Sequence, residues 1–241
     1  MAMAGLSNAA VDSLVLMSKY SATSLPFVTV KFAQSLDGRI ATATGDSQWI
    51  SSAASRRFAH QLRREHDAIM VGIGTVLADD PELTVRLVRG RDPLRIVIDS
   101  SLRVPLTARV FANGAASHTL VATNETADAA RAREIENLGA EVLRFAPPPD
   151  QPDVNIALLF EELARRGIAS VLVEGGKGII TSLLAARAVD RLIVVIAPKI
   201  IGQGTEAIGD LGITRLSEAI TFSSVKIRRL GEDVIFDARL K

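Results

Sequence analysis

The sequence predicts an α/β protein built on a mixed, mostly parallel sheet flanked by helices, with a C-terminal antiparallel hairpin. Three observations predict it. Short runs of Val, Ile, Leu and Ala recur along the chain, separated by helical segments of about 10–15 residues, the pattern of strands buried on both faces. Two strand-like segments at the C-terminus, Thr221–Leu230 and Asp233–Arg239, are joined by Gly231-Glu232, a hairpin signal. Hydrophobic residues make up 48% of the 241 and aromatics only 4%, so the core must be aliphatic.

Taken in order, Pro26–Phe32 is a β-branched strand, and Gln34–Gln48 is a polar loop holding Asp37-Gly38 and Gly45-Asp46, with a short strand at Arg39–Ala43. Ser51 or Ser52 caps a helix that runs to about His66 with Phe58, Ala59 and Leu62 on its apolar side. Ala68–Gly72 is a buried strand. A short helix starts at Gly74 and ends at Asp79-Asp80-Pro81, because a residue before proline disfavours α geometry. Leu94–Asp99 and Thr119–Ala122 are strands, followed by a helix over Ala127–Leu138 and a strand at Glu141–Phe145. Pro147–Pro149 is a break too short to link domains. A helix over Ile156–Arg166, strand Ser170–Glu174, helix Lys177–Ala186 and strand Arg191–Ala197 complete the alternation. The expected organisation is an N-terminal extension, 1–25, and one domain, 26–241.

Composition excludes several classes of function. A net charge of +1, with no basic run interleaved with aromatics, gives no reason to expect nucleic acid as a partner. No cysteine is present, which excludes disulfides, thiolate zinc sites and cysteine nucleophiles. His60 and His66 stand six apart rather than four, so no metal pair is expected on that helix. No apolar run approaches the roughly 20 residues that cross a bilayer, and the patch Leu14–Met17 lacks a basic segment before it. A cytoplasmic protein without a membrane partner is the expectation.

The richest stretch is Val171–Leu184, VLVEGGKGIITSLL, an apolar strand running through a glycine turn into a helix. Gly175, Gly176 and Gly178 remove side chains where the backbone turns, and the free N–H groups of the helix start suit a phosphate. The spacing is neither G-x-G-x-x-G nor a P-loop. A second cluster, VGIGTVLADDPELTVR, places Gly72 and Gly74 at a strand's carboxyl end, with Thr75 beside them as a phosphate ligand or cap. Arg63 and Arg86 suit an anionic substrate, because a planar guanidinium binds phosphate bidentately. Trp49, the only tryptophan, reads either as a core plug or as a ligand platform after a polar loop. Neither a G-x-S-x-G elbow nor an H-E-x-x-H is present. Phosphate-binding turns without a nucleophile fit hydride transfer, in which a nicotinamide cofactor brings the chemistry.

The segments VKFAQSLDGRIATATGDSQWISS, VGIGTVLADDPELTVR, LVEGGKGIITSLL and KIIGQG together resemble the reductase domain of riboflavin biosynthesis. The resemblance runs from about Pro26 to the C-terminus. It implies a dihydrofolate-reductase-like fold, a homodimer, and NADPH-dependent reduction of the ribosyl group of a 5-phosphoribosylamino pyrimidine to ribityl. It implies cofactor contacts at Ala33, Trp49, Thr75 and Asp79, and along Gly176, Lys177, Gly178, Ile179, Ile180, Thr181 and Ser182. Substrate contacts are implied at Ser47, Arg63, Leu83, Arg86 and Glu174. Lys31, Asp37 and Glu174 are the candidate proton donors near strand ends, with Asp37 and Glu174 favoured. Arg103 or Lys177 would meet a 2′-phosphate. Lacking cysteine, the chain cannot hold the companion deaminase's zinc, and a stand-alone reductase is expected. The deaminated and the diamino pyrimidine both remain open as substrate. A pterin-type reductase and a non-catalytic nucleotide-binding module are the alternatives.

Overall fold

A computed structural model describes residues 25–149 and 153–241; the expected N-terminal extension lies outside these, apart from Leu25. The described strands are β1 (Phe27–Ser35), β2 (Arg39–Thr42), β3 (Ala68–Gly72), β4 (Leu94–Ile98), β5 (Thr119–Asn124), β6 (Glu141–Phe145), β7 (Ser170–Val173), β8 (Arg191–Ala197), β9 (Gly204–Glu206), β10 (Phe222–Leu230) and β11 (Asp233–Leu240). The helices are α1 (Ala53–Glu65), α2 (Ile73–Asp79), α3 (Ala129–Asn137), α4 (Ile156–Arg165) and α5 (Lys177–Ala185). One sheet has the order β10-β11-β8-β1-β7-β3-β4-β5-β6. Its pairs are parallel from β8 to β6, and antiparallel where β11 joins β8 and β10. This is the expected mixed, mostly parallel sheet with a terminal hairpin.

The fully apolar strands take helices on both faces. On one face, Val28, Val30, Met70, Ile96, Val171 and Val173 pack against Leu159 and Leu163 of α4 and Ile180 and Leu183 of α5. On the other, Ile69, Val71, Val97 and Val121 meet Val76 of α2 and Ile135 of α3, while Leu172 and Ile193 meet Leu62 of α1. Alternation along each strand divides the side chains between the two layers. Start signals are satisfied locally: Ser52, Asp128 and Asn155 accept from N–H groups of the first turns of α1, α3 and α4. Helix α2 stops at Asp80, which adopts the left-handed conformation (φ 39°) and returns its N–H to Val76.

Two departures from expectation shape the site. Strand β1 continues past Phe32 to Ser35, because its ladder with β8 runs on to Ser35↔Ala197. Its ladder with β7 stops at Val30↔Val173, where the chain leaves the sheet into the glycine turn. The stretch of β1 beyond Val30 therefore has no β7 neighbour. The short strand expected within the polar loop is present as β2, and the departure is its partner, β9, with which it forms a small antiparallel sheet. The turn after β7 is tightly fitted: a Cβ on Gly175 would overlap the Ile179 Cγ2 atom. Gly175→Ala is accordingly expected to cost about 1–3 kcal/mol by overpacking, read as a lowered urea midpoint with an unchanged m-value.

Candidate active site

A cleft of about 790 Å³ opens at the carboxyl ends of β3, β4 and β7, where open α/β sheets bind ligands. Its walls include Gly72 and Gly74, Thr75 and Asp79 of α2, and Gly176, Lys177, Gly178, Ile179 and Ser182 at the start of α5. The small sheet contributes Ile40, Ala41 and Thr205. Helix α5 begins at Gly176 with no side-chain cap, so N–H groups of its first turn face the cleft unsatisfied by protein. The Thr75 hydroxyl accepts from the Gly176 N–H at 2.9 Å and ties α2 to this turn. A long cleft with an uncapped helix start suits a phosphate-bearing dinucleotide.

Beside the glycine turn lies a cluster of buried charges. Arg63 of α1 and Glu174 form a two-pronged ion pair, Nε to Oε1 and Nη2 to Oε2 both at 2.9 Å, with each side chain only 12% exposed. Arg63 also donates to the Thr84 carbonyl at 3.0 Å. Burial alone would push the Glu174 carboxyl up, but the Arg63 guanidinium, its hydrogen bonds and the Lys31 ammonium hold its pKa down at about 2. Lys31, on β1, is pulled below the usual lysine range by burial first; Glu174 opposes that shift and Arg63 adds to it. His60, one turn before Arg63, is lowered to about 4 by burial and then by Arg63 and Arg86.

Other expected site residues have different partners. Asp37 accepts from the Ile201 and Gly202 N–H groups, the latter at 2.6 Å. The Ser35 hydroxyl and then these amides hold its carboxyl at about 2. Arg39 donates to the Gly202 carbonyl and to Glu206, so the D-G-R and I-I-G-Q-G segments form one clasp. Asp37, expected as a candidate proton donor, has its carboxylate engaged by the Ile201 and Gly202 amides. Ile180 is fully buried, its N–H bonded to Gly176, and Thr181 links the Lys177 carbonyl to the Gly209 N–H. Neither lines the cleft. Leu83 is core, and Ala33 packs with Leu62 toward α1. Trp49 is 61% exposed, which excludes the core-plug reading; Arg56 stacks 4.5 Å from its ring centroid. Ser47 reaches Asp79 at 3.4 Å. Arg86 is half exposed and bonded to Glu82 and Thr84. Lys177 is drawn to Glu206 at 3.5 Å. Arg103 lines the cleft and has no ion pair among the described residues.

A family model described as the RibD C-terminal domain matches residues 26–236. The chain belongs to the RibD C-terminal domain family. Riboflavin biosynthesis protein RibD of Aquifex aeolicus is 41% identical over 211 residues, 87% of this chain and 56% of the relative. The 2,5-diamino-6-ribosylamino-4(3H)-pyrimidinone 5′-phosphate reductase of Methanothermobacter thermautotrophicus is 40% identical over 222 residues, 90% of this chain and 99% of the relative. Among solved structures, Acinetobacter baumannii RibD superposes with a TM-score of 0.77 at 28% identity, covering 90% of this chain and 58% of the other. The Saccharomyces riboflavin biosynthesis reductase Rib7 does so with a TM-score of 0.75 at 26% identity, covering 96% and 97%. The chain spans 56 to 58% of the length of the first RibD relatives it matches.

Within this RibD-family site, sequence reasoning missed Ser100, Asn155 and the small sheet as cleft walls. Ser100 was detectable, because it follows a buried strand at the carboxyl edge. The β9 contribution was not, since Gly204–Glu206 carries no apolar pattern.

The Glu174 carboxyl is depressed in the fold, so the pair contributes fully above about pH 4.5 and fades as pH falls toward about 2. Glu174→Gln is expected to cost roughly 3–5 kcal/mol at pH 7, by leaving Arg63 unpaired in a buried place. The variant should also lose less stability than wild type between pH 5 and pH 2, a contrast that urea unfolding across that range measures.

Proposed function

We propose that this chain is an NADPH-dependent reductase of riboflavin biosynthesis. In this reading it converts the ribosyl group of 5-amino-6-(5-phosphoribosylamino)uracil, or of its 2,5-diamino analogue, to ribityl. The observation that carries the reading is the near end-to-end likeness to the archaeal protein named as the diamino pyrimidinone phosphate reductase. The cleft and the Lys31–Glu174–Arg63 cluster beside it supply the two sites such a reaction needs.

The residues present fit a nicotinamide dinucleotide. The α5 start at Gly176, Lys177 and Gly178, with Thr75, would hold the pyrophosphate, and Ser182 and Asp79 flank it. Ala33 belongs to the stretch of β1 without a β7 neighbour; by the family resemblance it and Trp49 would contact the cofactor. Arg103, which lines the cleft and has no ion pair among the described residues, is better placed for a 2′-phosphate than Lys177, which Glu206 engages. When bound, the cofactor supplies a hydride; the protein supplies position and electrostatics.

The proton source is Lys31. Asp37 and Glu174 are both held ionised far below neutral pH, so neither has a proton to donate there. Lys31 is a buried ammonium with a lowered pKa, the state that suits a general acid. Glu174 favours its charged form, and Arg63 keeps Glu174 in place. Arg86 and Arg63, with Ser47, would receive the substrate's 5′-phosphate. The reading also carries, from the family resemblance, a cytoplasmic homodimer acting on small molecules, without nucleic acid or membrane partners. Among the described residues no helix is long and apolar enough to cross a membrane.

The direct test follows NADPH absorbance at 340 nm with each pyrimidine phosphate in parallel. Turnover of either is the expected outcome; silence with both overturns the reading. Lys31→Met should lower kcat by about 10²–10⁴-fold without altering NADPH affinity. The wild-type kcat should fall as pH rises through the lowered Lys31 pKa. Arg103→Ala should raise the KM for NADPH several-fold while leaving the KM for NADH nearly unchanged, which steady-state kinetics with both cofactors reads.

A further inference from the structure

Arg103 sits in a loop after β4 whose backbone is held from outside the cleft. Leu102 and Val104 are buried, and Arg103 between them is exposed and lines the cleft. Leu102 has φ 54°, in the left-handed region that a leucine rarely adopts, so its surroundings impose this backbone course. Two side chains hold it. Arg131 of α3 donates from Nε to the Leu102 carbonyl at 3.3 Å and from Nη2 to the Val104 carbonyl at 2.8 Å. Asp99, fully buried just after β4, accepts from the Val104 N–H at 2.7 Å.

A peptide unit is planar, so holding one of its polar atoms orients the whole unit. Arg131 holds the unit before the Arg103 Cα through the Leu102 carbonyl, and Asp99 holds the unit after it through the Val104 N–H. The two backbone dihedrals of Arg103 are thereby set, and with them the direction in which its side chain leaves the chain. Arg131 is itself aligned by Glu134, which accepts from Nη1 at 2.7 Å. Among the described residues, none of α3 lines the cleft, so Arg131 acts on a bound molecule only through the loop. We propose that Arg131 is a positioning residue for cofactor choice: it fixes the loop that aims Arg103 at the 2′-phosphate, and so sets the preference for the phosphorylated dinucleotide. An arginine aimed in advance loses less freedom on binding, and the ligand is held more tightly. The proposal rests on the assignment of the 2′-phosphate to Arg103.

Arg131→Met keeps most of the side-chain stem and removes every donor. Titration calorimetry with NADP⁺ and with NAD⁺ reads its effect without any turnover. NADP⁺ should bind about 3- to 10-fold more weakly than to wild type, while the Kd for NAD⁺ stays within about twofold. Arg131→Lys, which keeps the charge but not the two-carbonyl fork, should fall between wild type and Arg131→Met for NADP⁺ and leave NAD⁺ unchanged. In an Arg103→Ala background, Arg131→Met should change NADP⁺ affinity by no more than about twofold, because residues acting through one contact are not additive.

A merely structural tie would weaken both dinucleotides together. An equal loss for NADP⁺ and NAD⁺, an unchanged NADP⁺ affinity in Arg131→Met, or the full loss repeated in the Arg103→Ala background would therefore overturn the proposal. An Arg103→Ala protein that binds NADP⁺ as wild type does would also overturn it, and would leave the reductase reading standing. A preference for NADP⁺ that depends on Arg131, in a protein that turns over neither pyrimidine phosphate, would uphold the proposal and count against the proposed reaction instead.

Discussion

Arg63 and Glu174 are buried together where β7 leaves the sheet, and neither charge can remain there without the other. The pair ties the middle of α1 to the end of a central strand. It also bears on the neighbouring Lys31, whose charged form Glu174 favours while burial and Arg63 disfavour it. The early end of β7 is what gives the pair room. Had the β1–β7 ladder continued past Val30↔Val173, the next residues of β7 would cover the place where Lys31 and Glu174 meet. One glycine turn thus does two things: it opens a polar notch on the α1 side and starts α5 over the cleft on the other.

The two compartments joined at that turn suit a reaction between two bound molecules. The cleft offers amide N–H groups and Arg103, a cation with no ion pair among the described residues, features that suit a dinucleotide. The notch offers guanidiniums, an ammonium and a neutral imidazole, features suited to an anionic sugar derivative. The clasp between Asp37, Arg39 and the Ile201–Gly202 backbone holds the small β2–β9 sheet against the cleft mouth. It does so through exposed groups, so it positions a wall rather than stabilising the core.

Much of this was legible in the sequence because it is written in local patterns. The aliphatic runs of β3, β4, β7 and β8, the Ser52 cap of α1, and the passage from VLVE through the glycines into α5 all announce themselves within a few residues. The glycine turns, Thr75 and Glu174 stand out in the sequence, and the structure brings them together at the cleft and the notch beside it. The role of Asp37 was not legible, because its partners lie 164 and 165 residues away, and a carboxylate beside a strand end looks the same whether it donates a proton or anchors a loop. His60 was hidden for a similar reason. Its partner, the Arg86 amide, lies 26 residues away, and nothing in the α1 pattern distinguishes it from His66, which bonds Leu62 and Thr29. The three-residue β9 carries no periodicity at all.

The central claim is that hydride reaches the ribosyl carbon attached to nitrogen, and isotope transfer tests it most directly. NADPH deuterated on the transferred face would be incubated with the protein and the phosphoribosylamino pyrimidine it turns over, and the product analysed by mass spectrometry with fragmentation. The account predicts a ribityl product carrying the deuteron at C1′. A deuteron on the pyrimidine ring, or a product whose sugar carries no label, would contradict it.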